Sequence, residues 1–185
     1  MKIKVIIGLL AVGVLMFSWV QFYYLPKTEA AVEQARLDQL QPETHQFGQV
    51  LKFEHSYMGS AGNTTNLTYN LPMNDIPRMY QQDPEKFSFT INYEEAVQKI
   101  GEARVEKAIL YNATAIFVLI KNMEIIEFNF PDQTYTVTRQ RVNDWFGEDI
   151  STFNKENIFE ENVQQPIIKK ERLDDWFTAY IGGER

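Results

Sequence analysis

The chain has 185 residues, of which 44% are hydrophobic and 23% charged, and 18 Lys and Arg side chains stand against 25 Asp and Glu. The net charge of −7 disfavours nucleic acid as a partner, because nucleic acids are bound through clustered cations that release counterions. There is no cysteine, which excludes disulfides and a lipid-modified cysteine anchor and fits a Gram-positive exterior at least as well as a cytosol.

The first predicted element is an apolar segment, Val5 to Leu25, that contains no Lys, Arg, Asp, Glu or His. At about 1.5 Å per residue it spans roughly 31 Å, which is the thickness of a bilayer hydrocarbon core. Aromatic side chains near its end are typical of the headgroup layer: Trp19, Phe22, Tyr23 and Tyr24. The segment therefore predicts a transmembrane helix that holds the chain in a lipid bilayer.

A cleaved secretory signal is the alternative interpretation, since Lys2 and Lys4 supply a basic start and Ala30-Ala31 a processing site. A cleavable apolar region runs over only about 7 to 15 residues, so an uncleaved signal anchor is favoured. The basic residues precede the span and only Lys27 closely follows it. The positive-inside rule then predicts a single-pass protein of a bacterial cytoplasmic membrane, with its N-terminus in the cytoplasm.

Three regions follow from this placement. Residues 1–25 form the cytoplasmic tip and the signal anchor, residues 26–48 a stalk, and residues 49–185 one extracytoplasmic domain. In the stalk, Thr28 is expected to cap a mostly polar helix from Glu29 to Leu40, and the run His45-Gln46-Phe47-Gly48 is expected to be a turn. Without Lys2 and Lys4, 16 basic residues stand against 25 acidic ones, a net charge of −9 for the exposed part.

Val50, Leu51 and Phe53 are predicted to begin the folded part, and a turn-rich loop, Tyr57 to Asn63, follows them. After the loop, a short helix is predicted that Asn63 caps and that stops at Pro72. Alternation of apolar and polar residues predicts a strand from Phe87 to Tyr93. Between Val105 and Ile120 apolar residues recur at spacings of three and four, which predicts a core helix of about five turns.

Two further strands, Ile126 to Phe130 and Tyr135 to Thr138, are predicted to form a hairpin. After them, Thr138 is expected to cap a helix that Gly147 stops, and Asn154 is expected to cap the next segment. The predicted fold is α+β, with a small three-stranded, mainly antiparallel sheet packed on the central helix and with C-terminal amphipathic helices.

The last predicted helix begins at Pro166 and ends at Gly182-Gly183, so that residues 166–181 form an amphipathic tail. Its apolar side chains are Ile167, Ile168, Leu173, Trp176, Phe177 and Tyr180. So much aromatic surface must be covered, either by the domain itself, which is the commonest use of such a helix, or by a partner.

Several strings resemble the domain-of-unknown-function 4825 family, an uncharacterised Firmicute family of membrane-tethered exterior domains. They include the Tyr57, Gly59, Asn63, Leu67, Leu71, Pro72 unit, then Phe89 to Tyr93, Phe117 to Asn122, Glu124 to Asn129, Tyr135 to Arg139 and Trp145 to Ile150. The likeness covers residues 51–163. It implies an exterior module with no established activity, and it transfers no catalytic residue.

Catalytic and metal-binding motifs are not found in the sequence. His45 and His55 are the only histidines and form no zinc-binding pair, and no nucleophile motif or phosphate loop is present. No cofactor is expected. Adjacent acids occur at Glu94-Glu95, Glu148-Asp149, Glu160-Glu161 and Asp174-Asp175. A cell-wall-acting hydrolase that uses a carboxylate pair is therefore the alternative function, although such acids more often lie on solvated faces.

The favoured hypothesis is a non-catalytic binding or regulatory module for a protein or peptide partner. The candidate contacts are Tyr57, Gly59, Asn63, Trp176, Phe177 and Tyr180. Asn112 lies in the apolar stripe of the central helix, where an amide either is hydrogen-bonded to a strand edge or lines a cavity, and a structural role is expected.

Overall fold

The structure is a computed structural model that describes residues 2–182, and it divides into two compact units, Met1–Asp38 and Gln39–Arg185.

The first unit is a helical run built from α1 (Lys2–Trp19), a π-helical turn (Val20–Tyr24) and α2 (Leu25–Asp38). The helix from Val5 to Asp38 has 34 residues, and the mean hydropathy of its most apolar window is 2.2. None of that window is buried in the structure. By length and composition this helix is able to cross a membrane.

The helix expected to start at Thr28 instead runs on from the apolar segment, so the predicted cap is wrong. Thr28 Oγ1 donates to Tyr24 O at 3.1 Å and to Leu25 O at 2.8 Å, inside the helix. The π-helical turn ends at Tyr24, two residues before Pro26, which has no N–H to donate, and Leu25 N donates to Val20 O. The wider turn carries the chain past the proline without ending the helix.

The second unit contains a four-stranded sheet in the order β1-β2-β3-β4, not the predicted three strands. The strands are β1 (Arg78–Asp83), β2 (Ser88–Tyr93), β3 (Ile125–Asn129) and β4 (Thr134–Thr138). β1 and β2 pair antiparallel, β2 and β3 parallel, and β3 and β4 antiparallel. The predicted hairpin of the last two strands is confirmed.

β1 was not predicted, because its sequence Arg-Met-Tyr-Gln-Gln-Asp has no clear apolar alternation. It lies at an edge of the sheet, where one side of the strand meets no other strand. Only the face of β1 that points toward the helices has to be apolar. Tyr80 supplies the apolar contact on that face, because its ring stacks on Phe89 with the ring centroids 5.5 Å apart.

The parallel connection between β2 and β3 passes through α4 (Val97–Ile100) and α5 (Glu102–Leu119). α5 is the predicted central helix, and every residue from Ala108 to Leu119 is buried. Phe89 and Ile91 of β2 and Ile126 and Phe128 of β3 are buried in the same core. The other face of the sheet is mostly polar and partly exposed, as expected for a sheet with helices on one side.

Two short 3-10 helices, Phe47–Gln49 and Leu51–Phe53, precede α3 (Ala61–Tyr69). The predicted cap at Asn63 is wrong, because α3 already begins at Ala61 and Ser60 holds the N-cap position. Asn63 Nδ2 instead donates to Phe53 O at 2.8 Å. In contrast, Thr138 accepts from Arg141 N at the start of α6 (Arg139–Phe146), and Gly147 ends it in the left-handed region, both as predicted.

The C-terminal part is more broken than predicted. It consists of a 3-10 turn (Ile150–Phe153), α7 (Glu156–Phe159), a π-helical turn (Glu160–Gln164), α8 (Gln165–Lys169) and α9 (Leu173–Ile181). Lys170 and Arg172 have φ values of 56° and 50°, which break the single tail helix expected from Pro166. Gly182 ends α9 at φ 66°, and Gly183 lies outside the described residues. Asn154 donates to Glu54 at 3.4 Å instead of capping α7.

Candidate functional site

The Tyr57 loop, defined here as Glu54 to Ser60, joins the second 3-10 helix to α3. At its start, His55 N donates to Leu119 O at 2.8 Å and Lys121 N donates to His55 O at 3.0 Å. These bonds form a parallel bridge between His55 and Ile120, the residue that follows α5. The loop is thereby attached to the end of the central helix.

The middle of the loop is held at Met58, whose side chain is 1% exposed. Met58 N donates to Asn122 Oδ1 at 2.6 Å, and Met58 O accepts from Gln82 Nε2 at 3.0 Å. Asn122 follows α5 and Gln82 lies in β1, so two distant parts of the chain hold one residue. This anchoring leaves the neighbouring positions free to face solvent.

Tyr57 and Gly59 flank the anchored methionine and are exposed. Tyr57 is 68% exposed, the largest value among the large hydrophobic residues of residues 39–182. Tyr57 N donates to His55 Nδ1 at 3.0 Å, which turns the loop back on itself. Apart from Gly59 itself and its two chain neighbours, no atom of residues 2–182 lies within 4 Å of the position that a Cβ on Gly59 would take, so this stretch of backbone is open to a partner.

A cavity of 440 Å³, open to solvent, lies at the start of the loop and is lined by Glu54, His55, Ser56, Tyr57 and Lys121. The Lys121 ammonium lies 3.0 Å from the Glu54 carboxylate, and this contact holds the pKa of Glu54 below its usual range. The lining offers an ammonium, a carboxylate, an imidazole and two hydroxyl groups. Such a set recognises polar groups, including the main chain of a peptide, and carries little net charge.

Of the predicted loop contacts, the structure brings Tyr57 and Gly59 together on the surface, whereas the Asn63 amide already binds Phe53 O and positions the loop. Three residues that hold or line the loop were not predicted from the sequence: Lys121, Asn122 and Gln82. All three are far from the loop along the chain. The only signal for Lys121 and Asn122 in the sequence was their position in the turn after a long buried helix.

The predicted contacts in the tail lie in the core of the second unit. Trp176, Phe177 and Tyr180 are 1%, 2% and 0% exposed. The Trp176 ring stacks on Trp145 at 5.8 Å, and the Tyr180 hydroxyl lies 2.6 Å from Thr114 Oγ1. Burial raises the pKa of Tyr180. The tail therefore packs on its own domain, the first of the two alternatives.

His45 was expected in a stalk turn but is buried, with 2% of its surface exposed. Its Nε2 lies 2.7 Å from Asn70 O and its Nδ1 lies 2.7 Å from the Tyr111 hydroxyl. Because a carbonyl only accepts, Nε2 carries the proton and Nδ1 accepts from Tyr111. Burial lowers the pKa of His45 to about 4, so the ring is neutral at neutral pH.

Members of the acidic pairs make local contacts. Asp149 accepts from Ser151 N at the start of a 3-10 turn, which lowers its pKa, while Glu95 and Asp175 contact Lys99 and Arg172. A glycosidase acid needs a raised pKa, and the carboxyl groups of residues 2–182 with a displaced pKa are displaced downward. No cluster of His, Asp and Glu in the described part of the chain is arranged to hold a metal ion.

Asn112 Nδ2 donates to Pro72 O at 2.9 Å, in agreement with the structural role expected for this amide. It ties α5 to the segment before β1.

Comparison with known proteins gives a match to a family over part of the chain. The family described as "Domain of unknown function (DUF4825)" matches residues 50–140, which include the whole sheet, α5 and the Tyr57 loop with its anchoring residues. Comparison with curated proteins and with solved structures gives no match. The chain therefore contains a DUF4825-like domain over residues 50–140, preceded by a helix long and apolar enough to cross a membrane.

Proposed function

We propose that the protein is a single-pass anchor in a bacterial cytoplasmic membrane that presents a non-catalytic binding module outside the cell, with the Tyr57 loop as its contact for a protein or peptide partner. The observation that carries the proposal is the pairing of a solvent-exposed Tyr57 with the buried, hydrogen-bonded Met58 beside it.

An exposed aromatic side chain on a fixed backbone suits binding for two reasons. Tyrosine combines a large apolar area with few rotatable bonds, and it is enriched among residues that dominate binding energies. A loop that is already ordered loses little entropy when a partner binds. The backbone bonds of His55 and Met58 supply that order before any partner arrives.

The proposed anchor and orientation rest on the first unit and its flanks. The helix from Val5 to Asp38 meets the length and hydropathy of a membrane span. Lys2 and Lys4 precede it, and the positive-inside rule keeps such residues in the cytoplasm. In this orientation the module and its partner meet in the layer just outside the membrane.

The test uses the absence of cysteine in the native sequence. The full-length Tyr57→Cys variant is treated in intact protoplasts with a membrane-impermeant maleimide that carries a photoreactive group. Labelling is expected because the residue is exposed and outside, and irradiation is then expected to join it to one specific membrane or exterior protein. Gln140→Cys, also exposed but on α6, is the matched control and should be labelled without capturing that protein.

Two results would count against the proposal. If neither cysteine reacts until the protoplasts are lysed, the orientation is wrong. If both react and capture the same proteins, the Tyr57 loop is not a specific contact.

A further inference from the structure

The edge of the sheet at β1 is open to the addition of another strand. β1 pairs only with β2, and its register is continuous from Arg78 to Asp83 without a bulge. Its four central residues carry no charge and no proline. Proteins usually protect such an edge with lysine, proline or a bulge. At the opposite edge, by contrast, the Arg141 guanidinium donates to Thr136 O of β4 at 3.3 Å.

The register shows which backbone groups of β1 point outward. Pro77 O accepts from Glu94 N at 2.9 Å, one step before the Arg78–Tyr93 pair. Hydrogen-bonded pairs alternate along an antiparallel ladder, so every second residue from Pro77 onward bonds to β2. The remaining residues direct their N–H and C=O groups away from the sheet: Arg78, Tyr80 and Gln82. These outward N–H and C=O groups have no hydrogen-bond partner within residues 2–182.

These outward groups are self-complementary, because they are spaced evenly about Tyr80. A twofold axis perpendicular to the sheet and next to Tyr80 brings a second β1 strand alongside in the antiparallel direction. Tyr80 then pairs with Tyr80 of the second copy, Arg78 with Gln82, and Met79 with Gln81. The side chains in each pair lie on the same face of the sheet, and no like charges face each other.

Exposed apolar side chains flank this edge on both faces. Tyr69 is 54% exposed and lies edge-on to Tyr80 at 5.4 Å, on the helix side of the sheet. Met79 is 65% exposed on the open side. A second β1 strand covers both, and apolar surface removed from water adds to the main-chain hydrogen bonds.

We infer that two copies of this chain associate through their β1 strands in this register and form one continuous sheet across the twofold axis. The proposed membrane anchor favours the association, because molecules confined to one membrane meet at a high effective concentration. The domains are acidic, so salt that screens their repulsion strengthens the pairing. The inference does not depend on the Tyr57 loop.

Cysteine crosslinking of the full-length protein in its membrane tests the register. Met79→Cys and Gln81→Cys are produced together, and the membranes are oxidised and analysed without reductant. Met79 and Gln81 of the second copy form a non-hydrogen-bonded pair with Cα atoms about 4.5 Å apart, within disulfide range. A disulfide-linked dimer that requires both variants is expected. The inference is overturned if the mixture gives no more dimer than either variant alone or Gln140→Cys.

A charge exchange at the same exposed positions separates pairing from misfolding. The double variant Met79→Lys, Gln81→Lys places lysines opposite each other across the axis, and loss of the dimer is expected by analytical ultracentrifugation in detergent. The double variant Met79→Lys, Gln81→Glu places opposite charges in the same pairs, and the dimer is expected to return. If the two double variants behave alike, while circular dichroism shows that both are folded, the β1 pairing is overturned.

Discussion

His45 shows at the scale of one residue how the chain leading to the domain is built into it. The ring lies between Tyr111 of α5 and the carbonyl of Asn70, and Gln164 Nε2 donates to His45 O at 2.8 Å. One residue therefore joins the entry segment to the central helix, to the end of α3 and to the C-terminal helices. Its neutral ring satisfies both neighbours, whereas a second ring proton displaces the bond from Tyr111.

The stability of residues 39–185, the second compact unit, is expected to fall as the pH is lowered from about 6.5 to about 4. The pKa of His45 is about 4 in the folded chain and 6.5 in its ordinary state, so the unfolded chain binds more protons in this window. The full contribution is present above pH 6.5, and about 3 kcal/mol is lost once the pH has fallen through the folded pKa. Urea unfolding at a series of pH values measures it.

The control for this prediction is a pair of glutamine variants. His45→Gln removes the titrating group, so its stability should be lower at pH 7 but should change less between pH 6.5 and 4. His55→Gln alters an exposed histidine and should keep the slope of the parent. An equal slope in the parent and in His45→Gln would show that other groups set the pH dependence.

At the scale of the element, the tail α9 completes the core. Trp176 stacks on Trp145 and lies edge-on to Phe146 of α6, while Phe177 lies edge-on to Tyr135 of β4 at 5.4 Å. Arg141 Nη1 donates to Ile181 O at 2.9 Å and ties the end of α9 to α6. Residues 50–140 match the family, and a segment beyond that match thus packs against β4 and α6.

Trp176→Ala is expected to lower the free energy of unfolding of residues 39–185 by roughly 3 to 5 kcal/mol, the usual cost of removing a large buried ring. Ile168→Ala, in the same tail but 43% exposed, is expected to cost less than about 1 kcal/mol. Circular dichroism in urea measures both. Equal small losses in the two variants would mean that α9 does not belong to the folded core.

At the scale of the whole molecule, the domain begins earlier than the stalk predicted from composition. Leu40 is 6% exposed and its carbonyl accepts from Met73 N, while Glu43 forms an ion pair with Lys107 of α5. Phe47 stacks on Phe159 at 3.7 Å. The compact unit accordingly starts at Gln39, directly after the long helix ends at Asp38.

A fragment that starts at Gln39 is expected to be soluble and to unfold cooperatively, whereas one that starts at Gln46 lacks Leu40 and His45. The loss of a buried leucine and a buried hydrogen-bonded histidine is expected to cost more than about 2 kcal/mol. Thermal unfolding of the two fragments compares them directly. Equal melting temperatures would show that residues 39–45 do not contribute to the folded unit and belong to the stalk.

The sequence by itself determined the elements that follow from the spacing of neighbouring residues. Apolar residues at spacings of three and four predicted α5, and alternation at Phe89, Ile91 and Tyr93 predicted β2. Thr138 and Gly147 predicted the ends of α6. Each of these patterns indicates directly which residues face a core or satisfy a helix end. The uncharged stretch from Val5 likewise marked the apolar helix.

Only the tertiary structure decided the features that depend on distant partners. The polar sequence of β1 is typical of a loop, but the segment forms a strand because its backbone pairs with β2. Lys121 reaches Glu54, Asn122 reaches Met58, and His45 reaches Tyr111 only after α5 has packed on the sheet. Periodicity predicts whether a side chain points into the core, but it does not predict which distant residue that side chain contacts. The candidate site is made of such long-range contacts.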